Sequence, residues 1–365
     1  MRVSSEELSE IVQKALVERA PFVLYRHPFG GEVAFMTCTA SDIEIYTDFK
    51  EIREEPGFVF APFHPSPLSP ILFLPNVGKQ FVTTLSSVAQ EANNPLLAAS
   101  RREDPVDAAK YKEVFRTFSK RLRDRDFDKL VLSWRATTSP ESPTDPIKTF
   151  WRACRRYPDA FVSLFYSPVS GLWLGATPEV LLKKAGVRCE TVALAGTMKV
   201  DDAPLESICW DEKNREEQQM VSRYIVEQLE GVALTLVQSD PYTARAGNLC
   251  HIKTDFRFAV GGDVSLGEIV EKLHPTPAVC GVPKDAAKRF IMEQEGYDRT
   301  YYSGFLGPLN DGGKSAIYVN IRCMKMNNGS DITLYAGGGL TGKSNEEEER
   351  CEIEAKMLTM KRLLQ

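Results

Sequence analysis

Apolar residues recur at helical spacing over 6–19, where Leu8, Ile11, Val12, Ala15 and Leu16 form one stripe behind a Ser4/Ser5 start signal. Strand-like runs follow. The chain is proline-rich around 61–76, and 91–105 is polar with breakers at both ends, which places the main change of composition there. The division expected is a variable N-terminal part, 1–105, and a catalytic region, 106–365, together one compact unit. Beyond 106 the pattern predicts a helix over 106–123, a strand over 129–137 and a helix over 146–156, then strands over 161–166, 171–176 and 180–184. A helix over 211–230, strands near 232–239 and 250–261, and helices over 266–273 and 283–294 come next. A long hairpin, 316–326 with 332–336, turns at Asn327-Asn328-Gly329-Ser330, and a helix over 345–364 ends the chain. Strands in short hairpin succession, with helices between the groups, predict an α+β fold with largely antiparallel sheets.

Several charges fall where a dry face belongs. In the last helix Ile353, Met357, Met360 and Leu364 mark a buried stripe, and Glu349, Glu352 and Lys356 run along its edge. A capping box of Ser344 and Glu347, with Glu346 to Glu348 favouring the helix N-terminus, explains the first turn. It does not explain Glu352 and Lys356, because a buried charge without a partner costs several kcal/mol, roughly. Helix 211–230 repeats the pattern, with Glu217 beside Val221, Tyr224, Ile225 and Gln228. Two helices that each present carboxylates can meet over a divalent cation.

Lys129 opens a strand and shares a face with Val131 and Ser133 by period two. An amine on a buried sheet face is suited to act as a base, and an edge lysine that blunts aggregation gives the same local pattern. Glu179 follows the tight turn Gly175-Ala176-Thr177-Pro178, as a carboxyl in a cleft or a plain turn residue. Ala195-Gly196-Thr197 and Gly337-Gly338-Gly339 can bring backbone N–H groups close to an anion, although neither matches a phosphate-loop or dinucleotide fingerprint. Arg322, in the β-rich run Tyr318 to Arg322, is a candidate carboxylate clamp.

Composition narrows the class. The 365 residues carry a formal charge of -5 with no basic block, which argues against nucleic acid. The four histidines have no zinc spacing, so a metal here has oxygen ligands. Eight cysteines lack framework spacing and read as reduced core thiols. No run approaches the ~18 apolar residues of a membrane span, and the N-terminus has no apolar signal core, so a cytoplasmic enzyme is expected.

From Phe127 to Leu358 the chain resembles the chorismate-utilising enzymes, most closely the isochorismate synthases among them. The landmarks, in order, are Phe127-Asp128-Lys129-Leu130-Val131-Leu132-Ser133, Gly175-Ala176-Thr177-Pro178-Glu179, Leu194-Ala195-Gly196-Thr197, Lys213 to Gln218, His274 to Gly281, Tyr302-Ser303-Gly304, Ile321-Arg322-Cys323, Tyr335 to Gly339, and Glu349-x-x-Glu352-x-x-x-Lys356. The resemblance implies two large antiparallel sheets packed face to face, helices outside and the site between the sheets. It implies a ring carboxylate on magnesium held by Glu217, Glu349 and Glu352, and an enolpyruvyl carboxylate held by Arg322 and Tyr302. Gly196, Thr197, Gly337 and Lys356 complete the anion pocket. Lys129 takes a proton from water attacking C2 while protonated Glu179 donates one to the departing C4 hydroxyl.

Ala195 stands where aminodeoxychorismate synthases carry a lysine, and no N-terminal tryptophan-binding motif is found, so Lys129 points to water and not ammonia as nucleophile. Glu217-Gln218 departs from the Glu-His that the family often has. The resemblance implies a monomer without a glutaminase subunit, a nucleic-acid partner or a membrane partner. Salicylate synthase, which goes on to eliminate pyruvate, is the alternative enzyme. A non-catalytic chorismate-binding protein is the alternative outside enzymes, and it needs neither Lys129 nor Glu179. Whether the product feeds menaquinone, a siderophore or salicylate is set by neighbouring enzymes.

Overall fold

Strands buried on both faces dominate the computed structural model, which describes residues 1–78, 80–85, 102–103, 107–140, 143–199, 205, 208–246, 249–327 and 331–364. In Phe161–Ser167, Val162 and Leu164 face one apolar layer while Phe161 and Phe165 face another. In Gly57–Ala61, Phe58 and Phe60 join that same second layer, and Val59 and Ala61 turn to a third. Period-two alternation with both faces apolar is what a strand needs when it lies between a sheet on one side and helices on the other.

Two antiparallel sheets result, each of ten strands among the described residues. The first runs from Gly281–Val282 through Lys129–Ser139, Asp331–Leu340, Cys323–Asn327, Gly171–Thr177 and Phe161–Ser167 to Phe22–Arg26, Glu32–Thr37 and Gln80–Thr84. The second runs from Ala233–Gln238 through Leu249–Val260, Arg188–Lys199, Val180–Ala185, Lys314–Val319 and Phe305–Leu309 to Gly57–Ala61, Ile71–Pro75 and Glu44–Tyr46. Strands from the first eighty-five residues therefore pair directly with strands of the later chain, Phe22–Arg26 with Phe161–Ser167 and Gly57–Ala61 with Phe305–Leu309.

Helices Ser5–Val17, Ala108–Arg123, Pro146–Arg156, Lys284–Gln294 and Glu346–Lys361 cover the outer face of the first sheet with residues such as Leu8, Phe118, Phe150, Ile291 and Ile353. Helices Glu212–Leu229 and Leu266–Leu273 cover the second through Val221, Ile225, Ile269 and Val270. Each fully buried aromatic or aliphatic side chain contributes about 1.5–3 kcal/mol of transfer free energy. The α+β architecture read from the sequence is the one observed, with sheets face to face and helices outside.

Two local expectations are corrected. The segment 316–326 is not one strand: Lys314–Val319 belongs to the second sheet and Cys323–Asn327 to the first. The break is held by Asn320, whose Nδ2 donates to the Tyr301 carbonyl at 2.8 Å, and by Arg322, which takes a φ of 50°. The last helix is capped by Asn345, whose side chain accepts from the N–H groups of Glu347 and Glu348, so Ser344 and Glu347 form no capping box. Ser344 is instead turned back to accept from the Thr341 N–H. Residues 328–330 of the expected hairpin turn, and the polar 91–105 stretch apart from 102–103, lie outside the described residues. All eight cysteines are free, and only Cys209 and Cys351 are exposed. Among the described residues no helix is long and apolar enough to cross a membrane.

Candidate active site

A cavity opens between the sheets where their aromatic filling ends. Glu179, Gly196, Thr197, Glu217, Tyr302, Arg322, Gly337 and Lys356 all line it, together with His251. Eight of the eleven expected site residues therefore meet at one place. Of the other three, Lys129 and Glu352 reach the wall through ion pairs with Glu217 and Lys356, while Glu349 is paired with Lys213, which does not line the cavity. Lys129 Nζ donates to Glu217 Oε1 at 2.7 Å, Lys356 Nζ to Glu352 Oε1 at 2.6 Å, and Lys213 Nζ to Glu349 Oε1 at 2.7 Å.

Glu179 and Arg322 owe their positions to the same topological event. Each sits where the chain leaves one sheet for the other, Glu179 between Gly171–Thr177 and Val180–Ala185, Arg322 between Lys314–Val319 and Cys323–Asn327. A crossing residue is free of both ladders, so its side chain can point into the gap. The two crossings are tied together, since the Val319 N–H donates to the Glu179 carbonyl at 2.9 Å and the Ala176 N–H to the Arg322 carbonyl at 3.0 Å.

Burial sets the charges. Desolvation raises the Glu179 carboxyl to about 7, opposed by the charges of Lys129, Arg322 and Lys356. It is therefore half protonated near neutral pH, which suits a general acid. The same desolvation pushes the Arg322 guanidinium below its ordinary value and the Tyr302 hydroxyl above its own. Glu349 is raised by burial and by the neighbouring Glu352 charge. Glu352 is desolvated too, yet Lys356, Lys213 and Arg322 hold it below the usual carboxylate range.

Glycine is required at two points. A Cβ on Gly339 would stand 2.6 Å from Glu217 Oε1 and 2.8 Å from Lys129 Cε, so the Lys129–Glu217 pair exists only because position 339 has no side chain. Gly196 has a φ of 71°, and a Cβ there would meet Asn214 Oδ1 at 3.1 Å. That Asn214 oxygen accepts from the Thr197 N–H at 3.1 Å, so this expected anion donor already has a partner. Gln218, the departure from the family's usual histidine, is buried and donates to Ser222 Oγ at 2.9 Å and Thr254 Oγ1 at 2.6 Å, which anchors the helix beside Glu217.

His251 was not singled out by sequence reasoning. Its Nδ1 donates to the Gly196 carbonyl at 2.9 Å, which leaves Nε2 to accept from Arg322 Nη2 at 3.4 Å. Burial and the Arg322 charge lower it to about 3, so it stays neutral and orients the guanidinium without repelling an anion. The only signal in the sequence was a polar residue inside a strand, which does not announce a partner 71 residues away.

Among the described residues no three His, Cys, Asp or Glu side chains converge closely enough to hold a metal ion, each carboxylate being drawn to its own lysine. The donor set still fits a hard cation. All three groups are carboxylates, and Glu349 Oε2 is buried with no hydrogen-bond partner, an acceptor with capacity to spare.

The chorismate binding enzyme family matches residues 74–365, and the chain belongs to it. Among its relatives is isochorismate synthase EntC of Escherichia coli, 30% identical over 242 residues that cover 64% of this chain and 61% of that protein. The chain thus spans less than two thirds of that relative. Two solved structures share the fold at 22% identity. DhbC from Bacillus anthracis has a TM-score of 0.81 over 98% of this chain and 99% of that one. MenF, the menaquinone-specific isochorismate synthase of Escherichia coli, has a TM-score of 0.77 over 94% and 89%.

Proposed function

We propose that the protein is a magnesium-dependent isochorismate synthase. The observation that carries this reading is the buried Glu179, raised to about 7, sharing one cavity with Arg322 and Lys356 and acted on by the charge of Lys129. A site that only binds a dianion needs cations; it does not need an acid tuned to neutrality.

Arg322, held from behind by His251, and Tyr302 receive the enolpyruvyl carboxylate of chorismate. Glu217, Glu349 and Glu352 would hold magnesium, which supplies charge neutralisation and a clamp for the ring carboxylate. Lys129 acts as the free amine: it first leaves Glu217 and gives its proton to solvent, and then takes a proton from the water that adds at C2. The ring double bonds shift, the C4–O bond breaks, and Glu179 delivers its proton to the departing hydroxyl. One water enters and one leaves, so the reaction is an isomerisation. Lys356, fixed by Glu352 and by the Gly337 carbonyl at 3.0 Å, keeps positive charge at the pocket wall throughout.

Incubation of the purified protein with chorismate and magnesium, followed by chromatographic separation, tests the reading. Isochorismate is the expected product. Salicylate with pyruvate would establish the lyase instead, an aminated product with ammonia would overturn the water assignment, and no turnover would leave a binding protein.

A further inference from the structure

The three lysine–carboxylate pairs around the cavity differ in one respect. Lys129 is 0% exposed, and Lys356 is 13% exposed and also bonded to the Gly337 carbonyl. Lys213 keeps 31% of its side chain in solvent, while its partner Glu349 keeps 1%. Lys213 lies in the first turn of Glu212–Leu229, one turn ahead of Glu217. Although burial disfavours its charge, the ammonium is held by three carboxylates, Glu349 first, then Glu352 and Glu217. These are the three groups assigned above to magnesium. Glu217 and Glu352 each have a lysine of their own, while Glu349 is paired only with Lys213 through Oε1 and its Oε2 has no partner. Lys213 also has somewhere to go. Glu216, three residues on along the same helix and 51% exposed, offers a carboxylate at the surface that Lys213 would share with Lys343, now 3.3 Å from Oε2.

We propose that Lys213 is the resident counter-cation of the carboxylate cluster, and that a divalent cation enters by displacing it toward solvent. The proposal rests on the magnesium reading of the site. Uptake is then an exchange of one cation for another. Lys213 weakens divalent binding, and in return it spares the cation-free protein three like-charged groups, Glu349 buried and Glu217 and Glu352 partly so, that have only two other lysines to face them. Arrival of the metal finds a folded site and needs no rearrangement of the strands.

The test uses manganese(II) as the probe, titrated without substrate into the cation-free full-length protein and followed by the loss of the free-ion paramagnetic resonance signal. Lys213→Met should bind manganese about tenfold more tightly than the unaltered protein, a coupling of ordinary size between two mutually exclusive ligands. Its cation-free form should melt at lower temperature, and the gap should close when both proteins are saturated with manganese. Lys213→Gln, which keeps a donor for Glu349 without the charge, guards against loss of folding and should shift affinity in the same direction. Binding by both variants equal to or weaker than that of the unaltered protein would overturn the exchange while leaving the metal site intact. If the unaltered protein and both variants fail to bind manganese at millimolar concentration, the magnesium reading falls and the exchange falls with it.

Discussion

The gap between the two sheets is filled in two opposite ways. Along most of its length it holds stacked rings: Phe161 lies on Tyr318 at 4.1 Å and Phe60 on Tyr301 at 4.3 Å, each pair nearly parallel. At the other end the same sheets enclose Lys129, Glu179 and Arg322, all buried. Tyr302 marks the join, lining the cavity while it stacks on Tyr335 at 5.3 Å, whose ring also packs on Trp173. The aromatic end gains free energy from burial and the charged end spends it. Charges can be desolvated for chemistry here because the other end fixes the spacing of the sheets, and because Lys129 is paired with Glu217 while Glu179 is raised toward its neutral form.

Substitutions that separate the two ends sharpen this contrast. The largest effect is expected for Lys129→Gln, which should lower the turnover of chorismate by about 10²–10⁴-fold, the usual worth of a positioned proton acceptor, while equilibrium binding of chorismate survives. Comparable loss of binding would mean that the lysine is a clamp and not a base. Next comes Phe60→Ala at the aromatic end, expected to cost about 3–5 kcal/mol in urea unfolding with KM in the folded fraction nearly unchanged. A KM that rises many-fold would show that the two ends are not separable.

Smallest is the effect of Glu179→Gln on the pH dependence of stability. A carboxyl raised from 4.5 to about 7 stabilises the folded state fully below pH 4.5 and loses that contribution as pH rises through about 7. The unaltered protein should therefore lose on the order of 2–3 kcal/mol across that window relative to the glutamine variant, and melting curves at several pH values measure it. Parallel curves would mean that the carboxyl is not desolvated.

Much of the site was legible because regular structure makes it so. Glu349, Glu352 and Lys356 could be placed beside a dry stripe from helical period alone, and alternation put Lys129 on one face with Val131 and Ser133 without deciding whether that face is buried or an edge. The fold class followed from strand succession. What stayed hidden depends on contacts distant in sequence. The run Ala316–Met326 contains no glycine or proline, and nothing local marks the point where it changes sheets, so Arg322 read as a strand residue when it is a crossing. Asn214 capturing the Thr197 N–H, and His251 bracing Arg322, require knowledge of which strand lies beside which helix. Lys213 stood in a polar helix start that any solvated first turn would resemble, and only the folded chain sets it against Glu349.

The paired crossings have a mechanical consequence. The Val319–Glu179 bond prolongs the pairing of Lys314–Val319 with Val180–Ala185 in the second sheet, and the Ala176–Arg322 bond prolongs that of Gly171–Thr177 with Cys323–Asn327 in the first, so the two crossings run side by side like the halves of a buckle. The proton donor and the carboxylate clamp thus each stand on backbone that is paired at both ends of its crossing. For redesign toward other ring acids this ranks the positions. Ala195 lines the cavity with a small side chain away from both crossings and can be exchanged without touching the buckle, whereas Ile321 sits inside a crossing beside Arg322, and lengthening either crossing by a residue would detach the acid from the clamp.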